Sequence, residues 1–306
     1  MRILVTGSNG MLGSDLVREL VSDYDVCGLG RRPNPCQPIQ YFQADLASRS
    51  AVLKAISSSK PAIIVHAAAY TDVDGCELNP YQAFLVNVGG TQSVAEASDE
   101  VGATLFFISS DYVFDGTKPA PYEEEDQPNP LSVYGRSKFE AEEFLKSHCR
   151  SAWIIRSSWL FGANGRNFFR SLLQKMGRAE PLRVVDDQKG TPTYTKDLAK
   201  VIRILIERGN RIEKYRIYHV TNEGVTTWFR AAKKMIEKTR SNIDLSAISS
   251  RDLKRPAKRP QNSVLNLSRL KQEFGLQLRS WEDAFEDFWS ETLEKEWHAS
   301  VRMQQN

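Results

Sequence analysis

Short apolar runs and amphipathic stretches alternate along the first half of the chain. Runs at 3–5, 26–29, 39–42, 63–65, 105–108 and 153–155 are the pattern of strands buried on both faces of a parallel sheet. Helix-like segments separate them; after the first run, Leu12, Leu16, Val17 and Leu20 recur at helical intervals. Strands divided by helical stretches of this length call for right-handed crossovers, so the pattern predicts an α/β fold with a doubly wound parallel sheet. Beyond residue 160 the rhythm changes. Segments 168–176, 195–206, 228–236 and 281–293 predict helices, and 182–185 and 215–220 predict short strands. The expected organisation is a sheet domain over 1–160 and mainly a smaller lobe over 161–306, with a soft boundary that leaves the chain free to recross. The polar end after about Trp297 is expected to fray.

The first strand breaks abruptly into glycines. Gly7, Gly10 and Gly13 follow it at G-x-x-G-x-x-G spacing and lead into the first helix. In that setting glycines allow a tight turn, close approach of a pyrophosphate to main-chain N–H groups, and close helix–strand packing. A dinucleotide-binding Rossmann domain is the expectation. The second strand ends in Arg31 and Arg32, with no acidic residue to take the adenosine ribose hydroxyls. Arginine there accommodates a 2′-phosphate, which favours NADPH and leaves NADH as the alternative. Asp45 and Leu46, after the third strand, fall where the chain can edge the adenine.

Composition narrows the function classes. With 306 residues and 41% hydrophobic content the chain can bury a large core. A formal charge of +3 and only short basic spots give no case for nucleic acid. No apolar run reaches membrane-spanning length, so no membrane partner is expected and the chain reads as soluble and cytoplasmic. Cys27, Cys36, Cys76 and Cys149 have no C-x-x-C pairing and no His at ligand spacing, which points to reduced thiols rather than a metal site. His66, His148, His219 and His298 show no clustering and read as structural.

Tyr134 and Lys138 lie four apart on a predicted helix and share one face. A phenol is a poor proton shuttle at neutral pH until a neighbouring cation makes the phenolate less costly, and Lys138 is placed to be that cation. Ser110 closes an apolar strand at its carboxyl end, where open α/β sheets place ligands, and can donate to a carbonyl oxygen as negative charge develops there. A glycine loop, a strand-end hydroxyl, a Tyr and a Lys together resemble the short-chain dehydrogenase/reductase superfamily, and the length its extended, nucleotide-sugar branch. Further motifs fall in order: Ala67, Ala68, Ala69 and Tyr70 followed by Asp74 and Glu77; Ser109 through Gly116; Arg156 to Trp159; Asn167 with Phe168; Asp186 to Gln188 with Gly190 to Thr193; and Arg259 with Pro260. This series closely resembles the dTDP-4-dehydrorhamnose reductase family over nearly the whole chain, although that family usually carries Thr in the place of Ser110.

The resemblance implies NADPH-dependent reduction of the C4 keto group of a dTDP-4-dehydro-6-deoxysugar. It makes Ser110, Tyr134 and Lys138 catalytic. It assigns Gly7, Gly10, Met11, Leu12, Gly13, Arg31, Arg32, Asp45, Leu46 and Ala67 to Ala69 to the cofactor, together with Tyr134 and Lys138. Ser110, Asp111, Tyr112, Trp159, Asn167, Gln188 and Arg259 fall to the dTDP-sugar, with Trp159 an apolar wall and Asn167, Gln188 and Arg259 toward the diphosphate. Asn87 falls where related enzymes place a structural Asn. No metal ligand set is expected, and a homodimer stays open. Two alternatives remain: a sugar-nucleotide epimerase of the same branch, and a non-catalytic NADP-binding regulatory subunit resembling the β subunit of methionine adenosyltransferase.

Overall fold

Ile3, Leu4 and Val5 are wholly buried in β1 (Arg2–Thr6), each contributing about 1.5–3 kcal/mol on leaving water, and they anchor a sheet of seven strands. The computed structural model describes residues 1–32, 38–209 and 214–304; Cys36 lies outside them. With β2 (Asp25–Gly30), β3 (Gln40–Gln43), β4 (Ile63–His66), β5 (Thr104–Ser110) and β6 (Ser151–Ser157), the order from one edge is β3, β2, β1, β4, β5, β6, then Lys214–His219. Every neighbouring pair is parallel. The winding direction reverses between β1 and β4. A doubly wound Rossmann sheet opens its ligand crevice at that reversal.

Helices cover both faces. On one, α1 (Met11–Leu20) packs with a helix from later in the chain, Thr195–Arg208, over a core that includes Leu16, Ile202 and Leu205. On the other lie α2 (Arg49–Ser59), α5 (Gly90–Val101) and α6 (Val133–His148). Two short helices, α3 (Val73–Leu78) and α4 (Pro80–Phe84), precede α5. A π-helical turn, Leu85–Gly89, joins α4 to α5. Thr195–Arg208 and the edge strand Lys214–His219 bring the chain back to the sheet, with Ile217 in register with Ile154.

The second lobe has its own aromatic core. Phe161 of the short strand Leu160–Phe161 and Phe169 of α7 (Phe168–Met176) meet Trp281, Phe285 and Phe288 of the helix Trp281–Phe288 there, with Ala231, Ala232 and Met235 of the helix Trp228–Thr239. The helix Trp281–Phe288 runs on through a π turn at Trp289–Leu293 into Glu294–Gln304, and Trp297 packs against this core. Among the described residues no helix is long and apolar enough to cross a membrane. Cys27, Cys76 and Cys149 are free and buried.

Candidate active site

The glycine loop is built as the strand-to-helix break requires. Gly7 takes φ of +68°, a left-handed conformation that disfavours a side chain, and its carbonyl accepts Gly10 N–H at 2.7 Å. A Cβ on Gly13 would lie 2.0 Å from Gly7 O, so only hydrogen lets α1 seat against the loop. Gly10 caps α1 in extended conformation, with no side-chain cap and no acidic residue in the first turn. The leading N–H groups of α1, Met11 to Gly13, precede its first intrahelical bond, from Ser14 N–H to Gly10 O at 3.0 Å, and suit an anion.

These residues open onto a cleft of about 880 Å³ along the carboxyl ends of the strands. Gly7, Gly10, Met11 and Leu12 form one end, with Arg31, Asp45 and Leu46 beside them. Ala67, Ala68 and Ala69 floor the middle, and Ala68 approaches Gly7 so closely that a Cβ on Gly7 would lie 2.9 Å from its Cα. Ser110, Asp111, Tyr112, Tyr134, Lys138 and Trp159 line the far part. The sequence-predicted set thus converges on one cleft with five exceptions. Gly13 packs beneath the loop, and Arg32 is exposed outside the lining. Asn167 is spent capping α7, accepting from Arg170 N–H at 3.0 Å and donating to Gly162 O at 2.9 Å. Gln188 donates to Ser250 Oγ at 2.8 Å and secures the loop there. Arg259 grips Asp74 with both terminal nitrogens, at 3.1 and 2.9 Å. It ties the second lobe to α3 at the side of the cleft where Tyr112 lies.

Tyr134 and Lys138 stand one turn apart on α6, whose first turn is capped by Ser132 accepting from Gly135 N–H. Glu77 Oε1 also accepts Val133 N–H at 2.7 Å, fixing the start of α6 against α3. Burial pushes the Tyr134 phenol up, and the Ser110 hydroxyl pulls the other way. The lowering expected from Lys138 is therefore not the net state of the free chain: desolvation wins. Lys138 is itself buried, and the same desolvation draws its ammonium down to about 7 against the opposing pull of Glu142. Its Nζ sits 4.1 Å over the face of Phe107. Ser110 Oγ donates to Asp111 Oδ1 at 3.0 Å and accepts Tyr112 N–H at 3.1 Å. Burial lifts the Asp111 carboxyl to about 7, with Ser263 and Ser110 holding it back.

Asn87 sits inside the π turn and joins two cleft walls. Its amide exchanges two bonds with the Tyr70 backbone, at 2.7 and 3.1 Å, and donates to Ser137 Oγ at 2.9 Å, next to Lys138. Single π turns recur where a helix must present a group out of phase, often at functional sites. Trp159 has φ of +47°, unusual for a bulky side chain, and stacks on Trp228 with centroids 3.6 Å apart and planes 8° from parallel. A Cβ on Gly190 would lie 2.5 Å from the Trp159 ring, so the glycine makes room for the stack. Trp228, Arg166 and Gln82 also line the cleft and were not singled out by sequence, and Tyr70, part of the motif from Ala67, lines it without having been given a role. Trp228 carried one available signal, an aromatic directly after the paired hydroxyls of Thr226 and Thr227 that begin a helix.

The residues present suit a bound dinucleotide. The loop is a cradle that a Cβ would fill, the helix terminus is uncapped, and the buried Ser157 hydroxyl in the cleft lining has no hydrogen-bond partner. Comparison with known proteins fits the same geometry. The family model described as RmlD substrate binding domain matches residues 1–294. The chain is 38% identical to a dTDP-4-dehydrorhamnose reductase of Sinorhizobium fredii, over 93% of this chain and 95% of that one. It is also 38% identical to the dTDP-4-dehydrorhamnose reductase of Aggregatibacter actinomycetemcomitans, over 94% and 97%. The crystal structure of dTDP-4-dehydrorhamnose reductase from Bacillus anthracis in complex with NADP superposes with a TM-score of 0.86 at 36% identity, covering 95% of this chain and 99% of that one. On these likenesses, spanning both lobes, the chain belongs to the dTDP-4-dehydrorhamnose reductase family of the short-chain dehydrogenase/reductase fold.

Proposed function

We propose that the chain reduces the C4 keto group of dTDP-4-dehydro-6-deoxy-L-mannose to give dTDP-L-rhamnose, with NADPH as reductant. The observation that carries this reading is the convergence of Tyr134, Lys138 and Ser110 on the cleft that the glycine cradle opens. Bound NADPH supplies the hydride that reduces C4. The glycine loop and the first turn of α1 hold the pyrophosphate, and Arg31 takes the 2′-phosphate. Tyr134 gives its phenolic proton to the keto oxygen, so that hydride and proton together make the new hydroxyl. Lys138 holds the nicotinamide ribose and offsets charge on the phenolate left behind. Ser110 turns from Asp111 to orient the carbonyl and donate to it. The second lobe closes the sugar side, with Trp159 backed by Trp228 as its apolar wall. Arg259 reaches the diphosphate only by letting go of Asp74.

The test is direct. Purified protein with dTDP-4-dehydro-L-rhamnose and NADPH is expected to consume reduced nicotinamide in step with sugar reduced. An epimerase would turn over the sugar with no net loss of NADPH. A regulatory subunit would bind NADP, turn over no dTDP-sugar and recover a synthetase in a pulldown.

A further inference from the structure

Behind the wall that carries Tyr134 and Lys138, three elements of the cleft meet on one carboxylate. Glu142 lies on α6 one turn beyond Lys138 and two beyond Tyr134, on the same face, and is fully buried. Its Oε2 accepts Arg156 Nη2 at 2.7 Å, and its Oε1 accepts Arg156 Nε at 3.0 Å. Oε1 also accepts the Ser109 hydroxyl. Ser109 precedes Ser110 at the end of β5, and Arg156 precedes the cleft-lining Ser157 on β6. The guanidinium is held further by the Glu124 carbonyl, at 3.4 Å, and by the Phe114 ring, 5.0 Å away. Both side chains are essentially inaccessible, at 1% and 0%. Desolvating two charges costs about as much as their attraction returns, so an apolar pair of the same shape would serve stability as well. Their placement against the site is what distinguishes them.

We propose that Glu142 is a positioning residue for the reaction, locking α6 to the ends of β5 and β6 and supplying the countercharge that favours the ammonium form of Lys138. The inference rests on the reading that Lys138 works as the cation of this cleft. Around Lys138 stand His66 from β4, the Phe107 ring from β5, Tyr134 and Glu142 from α6, with Arg156 of β6 beyond Glu142. His66 is buried between the hydroxyls of Thr6 and Thr91, at 2.7 and 3.1 Å, and held neutral, its pKa drawn down to about 3 by burial and by Lys138. Phe107 offers only its π face. Arg156 spends its charge on Glu142. Among the described residues, Glu142 is the charged group whose field acts on Lys138, and it favours the ammonium.

The experiment titrates Lys138 itself. In protein with isotope-labelled lysine, the Lys138 side-chain resonance is assigned by its loss in Lys138→Arg and followed against pH in the free chain. Glu142→Gln is expected to lower the titration midpoint by at least about one pH unit, a tenfold loss of proton affinity, and Glu142→Asp by less. Affinity for NADPH should then fall away at lower pH than in the parent and return on acidification. Glu142→Gln leaves Arg156 charged and unpaired, so Glu142→Gln with Arg156→Gln, which removes both charges, guards against simple unfolding; the midpoint should drop there too. A midpoint unmoved in either folded variant, or in Glu142→Asp if it alone folds, overturns the proposal and leaves Glu142 a structural anchor. No sugar enters this titration, so a parent protein that fails to reduce dTDP-4-dehydro-L-rhamnose counts against the reaction and not against Glu142.

Discussion

Replacing Lys138 with methionine should make the folded chain more stable at neutral pH while destroying its function. Lys138 is drawn from a reference value of 10.5 down to about 7 by burial. Below about pH 7 the folded state therefore carries an ammonium that the unfolded chain solvates better, and the full shift of about 3.5 units corresponds to about 5 kcal/mol against folding. The sign follows from proton counting. Between about pH 7 and 10.5 the unfolded chain binds more protons at this site than the folded one, so the handicap shrinks as pH rises and vanishes above 10.5. At about pH 7, where the folded group is half charged, roughly 4 kcal/mol remains; at about pH 9.5 roughly 1 remains. Methionine fills a similar volume with no charge to desolvate.

The assay is urea unfolding of the parent and Lys138→Met at about pH 7 and about pH 9.5, comparing the extrapolated free energies. The variant should gain about 4 kcal/mol at the lower pH and about 1 at the higher, and it should bind NADPH poorly at both. Other titrating groups cancel in the comparison, because both proteins carry them. A gain that is equal at the two pH values, or a loss at pH 7, would refute burial as the cause of the lowered Lys138.

Three further outcomes follow from the site. Tyr134→Phe removes the proton donor and little else, so turnover should fall by about 10²–10⁴ in steady-state assays, while NADPH affinity measured by nicotinamide fluorescence stays within about twofold. Gly13→Ala puts a methyl 2.0 Å from Gly7 O, a backbone atom that cannot yield cheaply; thermal unfolding should show a loss of about 2 kcal/mol or more, with NADPH binding weakened as the cradle opens. Arg31→Ala should weaken NADPH by about tenfold and NADH by far less, read as the ratio of their dissociation constants; equal losses would show that Arg31 does not meet the 2′-phosphate.

The parts of the fold that sequence made legible are those governed by local periodicity. Runs such as Ile63 to Val65 are apolar on both faces because helices cover the sheet on both sides, and the loop from Gly7 to Gly13 needs glycine for steric reasons that no distant contact alters. Tyr134 and Lys138 were legible for the same reason, since four residues on a helix is one turn wherever the helix sits. What was illegible depends on pairing across long separations. Arg259 had the look of a diphosphate ligand, but a guanidinium takes whichever carboxylate is nearest, and Asp74, 185 positions away, is nearest. Asn167 and Gln188 carry polar groups that suit a ligand equally well, and a helix cap and a loop anchor claimed them first. Glu142 is the sharpest case. In sequence it is one of several acids in a charged helix that a reader assigns to solvent, and only the return of β6 beside β5 sets Arg156 against it. A charge of that kind is revealed by what it would cost to bury alone, and the arrangement that removes the cost is the one that joins Lys138, Ser110 and Ser157 into a single rigid wall.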